Sequence, residues 1–292
     1  VIISQIIGGL GNQMFQFAAG RALSLERGLA LKLDTAGFTG YGLHQGFELQ
    51  NVFGGSIALS SEVEVRDILG WQAVPSIRRI VARPAMTWLR RAGFIVEPHF
   101  HYWSGLSAVP NDSYLQGYWQ SEHYFRKFEA TIRDDFTFQS PLGLQNAEWA
   151  AHIAGCNAVS LHIRRGDYVA NAKTHANHGV CSLEYYRSAI RMMGERVAHP
   201  EFFVFSDDMP WVQANLQVDA PCHFIAHNRG AESYNDMRLM SLCRHHIIAN
   251  SSFSWWGAWL NARADKLVIA PRNWFANDNR TDDLFPAGWV RL

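Results

Sequence analysis

The chain has 292 residues, enough for two domains of ordinary size, and 48% of them are hydrophobic, the share of a globular protein with real cores. Its 26 basic and 26 acidic residues cancel and no basic block stands out, which argues against a nucleic-acid partner. Cys156, Cys181, Cys222 and Cys243 are scattered without CxxC pairs, so neither a zinc nor a disulfide framework is expected. The chain opens on a strand-like run and no apolar stretch reaches the length of a membrane span, so the expectation is a cytoplasmic protein with reduced thiols.

VIISQII (1–7) is rich in β-branched residues and predicts a strand. A glycine-rich turn follows, and QMFQFAAGRALSLERG spaces its apolar residues at helical intervals, with Gly28 placed as a C-cap. LALKLD (29–34) predicts the next strand and ends in an acid. This resembles a dinucleotide-binding unit, but with Gly9 and Gly11 as its first two glycines, the third falls on Met14. The turn is therefore read as ligand-facing, with NAD binding and a plain packing turn as alternatives.

Loop-like sequence continues around FTGYGLHQGFELQNVFGG. The basic helical stretch at 76–91, interrupted by Pro84, reads as a solvated face, with peripheral contact at the inner membrane surface as the alternative. SYLQGYWQSEHYF (113–125) predicts a strand breaking into a short helix, and FQSPLGLQNAEW (138–149) predicts a linker. Beyond it, AVSLHI, FFVFS, HHIIA and KLVIA alternate with helical patterns such as SLEYYRSAIRMMGERV and ESYNDMRLMSLCR. That alternation predicts a parallel sheet covered by helices, with ligands beyond the carboxyl ends of its strands.

Those ends carry the chemistry. AVSLHI runs into RRGDY, where period-two alternation puts His162 and Arg164 on one face as an anion pocket and leaves Asp167 to orient a guanidinium. A strand-end salt bridge is the plain alternative. NSSFSWWGAWL follows HHIIA, and Ser251, Ser252 and Ser254 precede a helix predicted to begin near Trp255. Helix-terminal N–H groups and serine hydroxyls there suit a phosphate, or one serine is an ordinary cap. Asp207 and Asp208 end FFVFSDD; being adjacent they diverge, which suits sugar hydroxyls better than joint chelation of a metal. The histidines at 99–101, 175–178 and 245–246 lack acidic or cysteine partners at ligand spacing, so no metal is expected. Asp236 sits in a helix leading toward the serine loop. The 11 tryptophans suit either sugar clefts or cores.

GGLGNQMFQFAAGRAL, YLQGYWQSEHYF, SLHIRRGDY, FFVFSDD and LMSLCRHHIIANSSFSWWGAWL occur in the order found in the bacterial alpha-1,2-fucosyltransferases of glycosyltransferase family 11, and the chain resembles that family over essentially its whole length. The resemblance implies a GT-B-like α/β fold with two Rossmann-like domains facing across a cleft: residues 1–140 on the acceptor side, residues 150–292 binding GDP-fucose. It implies inverting transfer of L-fucose from GDP-beta-L-fucose to the 2-hydroxyl of a terminal beta-galactoside, on an oligosaccharide or lipid-linked glycan, without metal or other cofactor. By position, Arg164 would hold the diphosphate, with Arg165 beside it. His162 and Asp236 would lie at the guanosine, and Ser251, Ser252 and Phe253 at the phosphates. Gly9, Gly11, Asn12 and Gln13 would face the cleft from the other domain, Asn12 near the fucose. The base for the acceptor hydroxyl is left open among Asp167, Asp34 and Glu122, and YWQSEHYF with the loop around His44 is assigned to the acceptor. The alternatives are an NAD-dependent oxidoreductase, a non-catalytic sugar-binding protein and a metal-dependent transferase of another fold.

Overall fold

The computed structural model describes residues 1–40, 45–55, 57–166, 179–276 and 280–292. Its contacts divide the chain into two compact units, Val1–Gln139 with Arg280–Leu284, and Ser140–Asn279 with Phe285–Leu292.

The first unit is built on four parallel strands, β1 (Ile2–Gln5), β2 (Leu31–Asp34), β3 (Phe94–Val96) and β4 (Ser113–Gln116), in the order β2-β1-β4-β3. The helix Leu10–Arg27 links β1 to β2 and buries Met14, Phe15, Ala18, Ala19 and Ala22. Its last turn closes on Gly28 in the left-handed region, φ 64°, the conformation that suits a glycine C-cap. The close helix–strand approach that Met14 denies to a dinucleotide fingerprint occurs at Gly20. A Cβ there would stand 2.9 Å from Leu31 and 3.2 Å from Ser4, so the helix rests directly on β1 and β2.

Six parallel strands form the second unit's sheet. They are β5 (Asn157–Ile163), β6 (Pro200–Ser206), β7 (Cys222–Ile225), β8 (His245–Ile247), β9 (Val268–Ala270) and β10 (Val290–Arg291), in the order β10-β9-β8-β5-β6-β7. Both faces are covered, which is why β5 and β6 read as unbroken apolar runs. Val159, Leu161, Ile163, Phe202 and Val204 pack against Tyr186, Ala189, Met193 and Val212 on one side. Ala158, Phe203 and Phe205 pack against Ile153, Leu239 and Met240 on the other. The seven strands expected from sequence are present as β1, β2, β4, β5, β6, β8 and β9, while β3, β7 and β10 carry no pattern of their own.

Two segments differ from expectation. The linker continues into a helix, Leu144–Ala154, which starts one residue after Gly143. The helix expected from Trp255 begins at Ser252 and runs to Leu260. Trp119, Trp255, Trp256, Trp259 and Trp274 are all buried, so these tryptophans fill cores. No helix among the described residues is long and apolar enough to cross a membrane.

Candidate active site

In an open parallel sheet the crevice lies where successive connections leave in opposite directions. In the second unit the chain runs from β5 outward to β6 and β7, then returns to β8 on the other side of β5. The switch point is thus between β5 and β8, and the loops flanking it are 164–166 and 248–251.

The register explains what meets there. His162 pairs with Phe205 and Ile163 with Ser206, so β5 and β6 end level and their next residues face each other. Arg164 Nε lies 3.1 Å from Asp207 Oδ2. The other oxygen of Asp207 accepts the backbone N–H of Arg165 at 2.8 Å. Arg165 Nε reaches Asp208 Oδ2 at 3.4 Å, and its guanidinium carbon lies over Trp211, 3.5 Å from the ring centroid. Asp208 also accepts the Trp211 N–H at the head of the helix Met209–Asn215. The two aspartates therefore have partners inside the protein and act as orienters of the two arginines. That is the part sequence had given to Asp167, which lies outside the described residues, as does His44.

Gly166 completes the turn. A Cβ at this position would come 2.8 Å from Asp207 Oδ2, so only glycine leaves the carboxylate where it is.

His162 is buried at the carboxyl end of β5, and its Nδ1 has no hydrogen-bond partner among the described residues. Burial lowers its pKa to about 4; Asp207 acts against that and Arg164 adds to it. The imidazole is neutral at physiological pH and presents a polar atom that needs a partner. Phe253 packs beside it, ring centroids 5.9 Å apart.

Across the switch point, Ser251 occupies the N-cap position of the helix Ser252–Leu260, and its side chain makes no cap hydrogen bond. The first-turn N–H groups of such a helix lack intrahelical acceptors, and the first turn carries no acid. Such a terminus suits an anion, and it follows β8, the strand beside the one that leads to Arg164.

Farther along the same edge, the loop after β7 carries Asn228, whose amide donates to Asp236 Oδ1 at 2.8 Å and is itself tied to Asn146. Burial raises the Asp236 pKa to about 7, with the Asn228 hydrogen bond opposing the shift. Ser251, Arg164, Asp207 and Asn228 thus follow four neighbouring strands in order, β8, β5, β6 and β7. Three strand spacings give an edge roughly 14 Å long. A cavity of about 750 Å³ lies on the β9 side, lined by Cys181, Tyr185, Asn250, Arg272 and Phe275 among others; it shares Asn250 with this edge but neither arginine.

The first unit has its own switch point, between β1 and β4. Gly8, at φ 79°, turns the chain, and a Cβ there would strike the Asn12 amide at 2.8 Å. Gln120 Nε2, after β4, donates to Asn12 Oδ1 at 2.8 Å. Gln13 is wholly buried and bonds the Gly8 and Gly46 carbonyls and the Glu48 N–H, so it fastens the turn from within. Gly9 is the N-cap of the helix and Gly11 is buried in its first turn. The carboxylate of Glu48 receives the Leu10 N–H. A helix terminus with an internal carboxyl group beside it is a poorer diphosphate site than an open one.

The acids considered as a base fare differently. Asp34 is buried, paired with Arg78 at 3.0 Å and hydrogen-bonded by the Tyr114 hydroxyl and the Ala36 N–H, so it is a structural anchor and is withdrawn as a base candidate. Glu122 is buried in a short turn after β4. Sequence reasoning missed Glu97, whose two oxygens accept the Tyr118 and Trp119 N–H groups at 2.7 and 2.9 Å. Burial raises its pKa to about 7 against those two bonds. It holds the loop after β4 with Trp119 at φ 55°, a conformation rare for a tryptophan. A lone glutamate 21 residues before its partner leaves no signal in sequence.

Residues 85–292 match the model of the family described as Glycosyl transferase family 11. The chain belongs to that family. It is 36% identical over 296 residues to the Alpha-1,2-colitosyltransferase of Escherichia coli, spanning 100% of this chain and 99% of the relative. To the O-antigen biosynthesis glycosyltransferase WbnK of Escherichia coli it is 34% identical, spanning 99% of both. It is 26% identical to the Galactoside alpha-(1,2)-fucosyltransferase 1 of Saimiri boliviensis boliviensis, over 61% of this chain and 52% of that protein. Its fold is similar to that of the NodZ alpha-1,6-fucosyltransferase soaked with GDP-fucose, with a TM-score of 0.55 at 16% identity, covering 89% and 91% of the two chains. This member of family 11 is a glycosyltransferase with the α/β, GT-B-like fold of parallel-sheet units expected from its sequence.

Proposed function

We propose that this family 11 glycosyltransferase transfers L-fucose from GDP-beta-L-fucose to the 2-hydroxyl of a terminal beta-galactoside, with inversion and without a metal. The observation that carries the reading is the edge of the second sheet. Two oriented arginines and an uncapped helix terminus flank its switch point, and Asp236 lies at the far end. Diphosphate departure develops negative charge, and Arg164 with the first turn of Ser252–Leu260 supplies preorganised stabilisation for it. Ionised Asp236 would accept the N1–H and N2–H₂ of guanine, and His162 Nδ1 would meet the nucleoside. Ser251, Ser252 and Phe253 would close on the phosphates.

The first unit's switch-point loops, with Asn12 and Gln120, are assigned to the sugars. The names of the galactoside fucosyltransferase and of the O-antigen biosynthesis glycosyltransferase WbnK support a galactoside within an O-antigen as acceptor. Colitose is the second donor reading, favoured by the identity over the full chain to the colitosyltransferase. Peripheral membrane contact belongs to the same proposal. Trp71, Val74, Ile80 and Trp88 are exposed beside exposed Arg79, Arg83 and Arg91, which suits an anionic surface carrying a lipid-linked acceptor.

The test is thermal unfolding in EDTA with GDP, UDP or NAD, followed by transfer assays with GDP-fucose and GDP-colitose on a beta-galactoside. Ligand at about 100 times its dissociation constant stabilises by roughly 2.7 kcal/mol, a shift of several degrees. A shift with GDP alone and an α-1,2-fucosylated product are expected. Stabilisation by UDP alone, or turnover that EDTA abolishes, would overturn the donor or the metal independence. Product from GDP-colitose only would select the second reading.

A further inference from the structure

The opposite end of the second sheet carries a constellation that glycosyl transfer does not use. His152, in the last turn of the helix Leu144–Ala154, Glu201, near the start of β6, and His223, in β7, converge beside the amino ends of the strands. Their ligand atoms all lie within 4.8 Å of one another. Both imidazole Nε2 atoms point at the same oxygen of Glu201, at 2.8 and 2.6 Å. The Cys156 thiol nearby donates to the Ile153 carbonyl at 3.8 Å. Glu201 is six residues before Asp207 along an extended strand, which puts the cluster about 20 Å from the arginines.

We propose that His152, Glu201 and His223 form a binding site for a divalent transition-metal ion of the zinc class, with water as fourth ligand. The donor set is two imidazoles and one carboxylate, a mixture that suits tetrahedral Zn²⁺ and not Mg²⁺ or Ca²⁺. The rings are held for the purpose. His152 stacks on Trp149, with an interplanar angle of 14°, and His223 packs on Phe203, with centroids 5.0 Å apart. The His152 side chain is 41% exposed, so an ion has a path from solvent. Binding requires each imidazole to carry its proton on Nδ1, which frees Nε2. Such an ion would tie the end of Leu144–Ala154 to the starts of β6 and β7, a structural clasp remote from the transfer chemistry.

The experiment uses the full chain, stripped with EDTA and dialysed, titrated with ZnCl₂ by calorimetry and with Co²⁺ by visible absorption. One equivalent bound, a raised melting temperature and tetrahedral Co²⁺ bands are expected. Glu201→Gln and His223→Gln should each weaken binding at least 10- to 100-fold while leaving the GDP-induced shift unchanged. If either variant does not fold, His152→Gln, on the half-exposed ring, carries the comparison. Binding no tighter than about 100 µM, or binding that survives the substitutions, would overturn the site and leave a hydrogen-bonded clamp. The GDP arm reads the donor site separately, so failure of one proposal is distinguishable from failure of the other.

Discussion

Asp207 holds Arg164 and Arg165 at once: Oδ2 faces the Arg164 guanidinium at 3.1 Å while Oδ1 takes the Arg165 N–H at 2.8 Å. One carboxylate just beyond β6 therefore sets both the direction of a side chain and the path of the backbone leaving β5. Without it the guanidinium has more rotamers to choose from, and the preorganisation proposed to stabilise departing diphosphate would be lost.

Gly166→Ala tests that relationship without deleting a charge. The new Cβ would meet Asp207 Oδ2 at 2.8 Å and its Cγ at 3.0 Å, so the carboxylate must shift. The end of a side chain moves cheaply, and the melting temperature should change little. Turnover should fall by roughly 10-fold or more, since misplacement near the chemistry costs rate steeply. An alanine variant with wild-type turnover would remove Asp207 from the positioning role.

Arg164→Ala removes the donor itself. Loss of one preorganised charge-stabilising group costs about 10² to 10³ in rate. Arg164→Lys should recover only part of it, because an ammonium does not reproduce the planar fork held by Asp207. Steady-state kinetics with GDP-fucose, alongside circular dichroism to show an intact fold, make the measurement. Near-wild-type turnover of the alanine variant would sink the assignment.

The first two strands, their helix and its Gly28 cap were legible because they are local. Apolar period and one glycine state them directly. The second sheet was legible for the same reason, since strands buried on both faces are written as apolar runs. What escaped was everything made by pairing distant segments. β3, at three residues, and β7, with Cys222 and His223 in it, are too short or too polar to announce themselves. The arginines and the serine loop were readable as strand-end residues, but not their partners. Sequence offered Asp167 as orienter because it is near in the chain, whereas parallel register brings Asp207 from 43 positions beyond Arg164. Gln13 looked ligand-facing from its place in the glycine turn; burial and three internal bonds give it a fastening part instead.

Asn12→Ala should separate the units' contributions. Its amide is held by Gln120 at the first unit's switch point, and the groups proposed to hold the diphosphate are all in the second. Transfer is expected to fall with GDP affinity unchanged. A parallel loss of GDP affinity, measured by calorimetry, would contradict the assignment of these loops to the sugars.

Glu48 supplies a stability test. Burial raises its pKa to about 7, so the folded protein holds that proton to higher pH than the unfolded chain. Its contribution is fully present below the ordinary carboxylate pKa, near 4.3, and is lost as pH rises through about 7. Glu48→Gln keeps a neutral group beside Leu10 and should flatten the fall in melting temperature between those limits. An unchanged profile would show that Glu48 ionises normally in the folded protein.

Asp236 gives the pH dependence of donor binding. Its pKa is raised to about 7 by burial, and the Asn228 amide only partly offsets that. Guanine would donate two hydrogen bonds to this group, which only the ionised carboxylate accepts in full. Below pH 7 the free protein must therefore lose a proton before it binds, and GDP affinity should drop about tenfold per pH unit, the dependence expected for one linked proton. Above pH 8 the affinity should be flat. Asp236→Asn presents an amide whose NH₂ faces the same donors, so it should weaken GDP at high pH and abolish the slope below pH 7. Calorimetry of GDP binding from pH 5.5 to 8.5 reads both effects. A slope that survives in the asparagine variant would move the titrating group elsewhere; His162 is not a substitute, since burial keeps it neutral down to about pH 4.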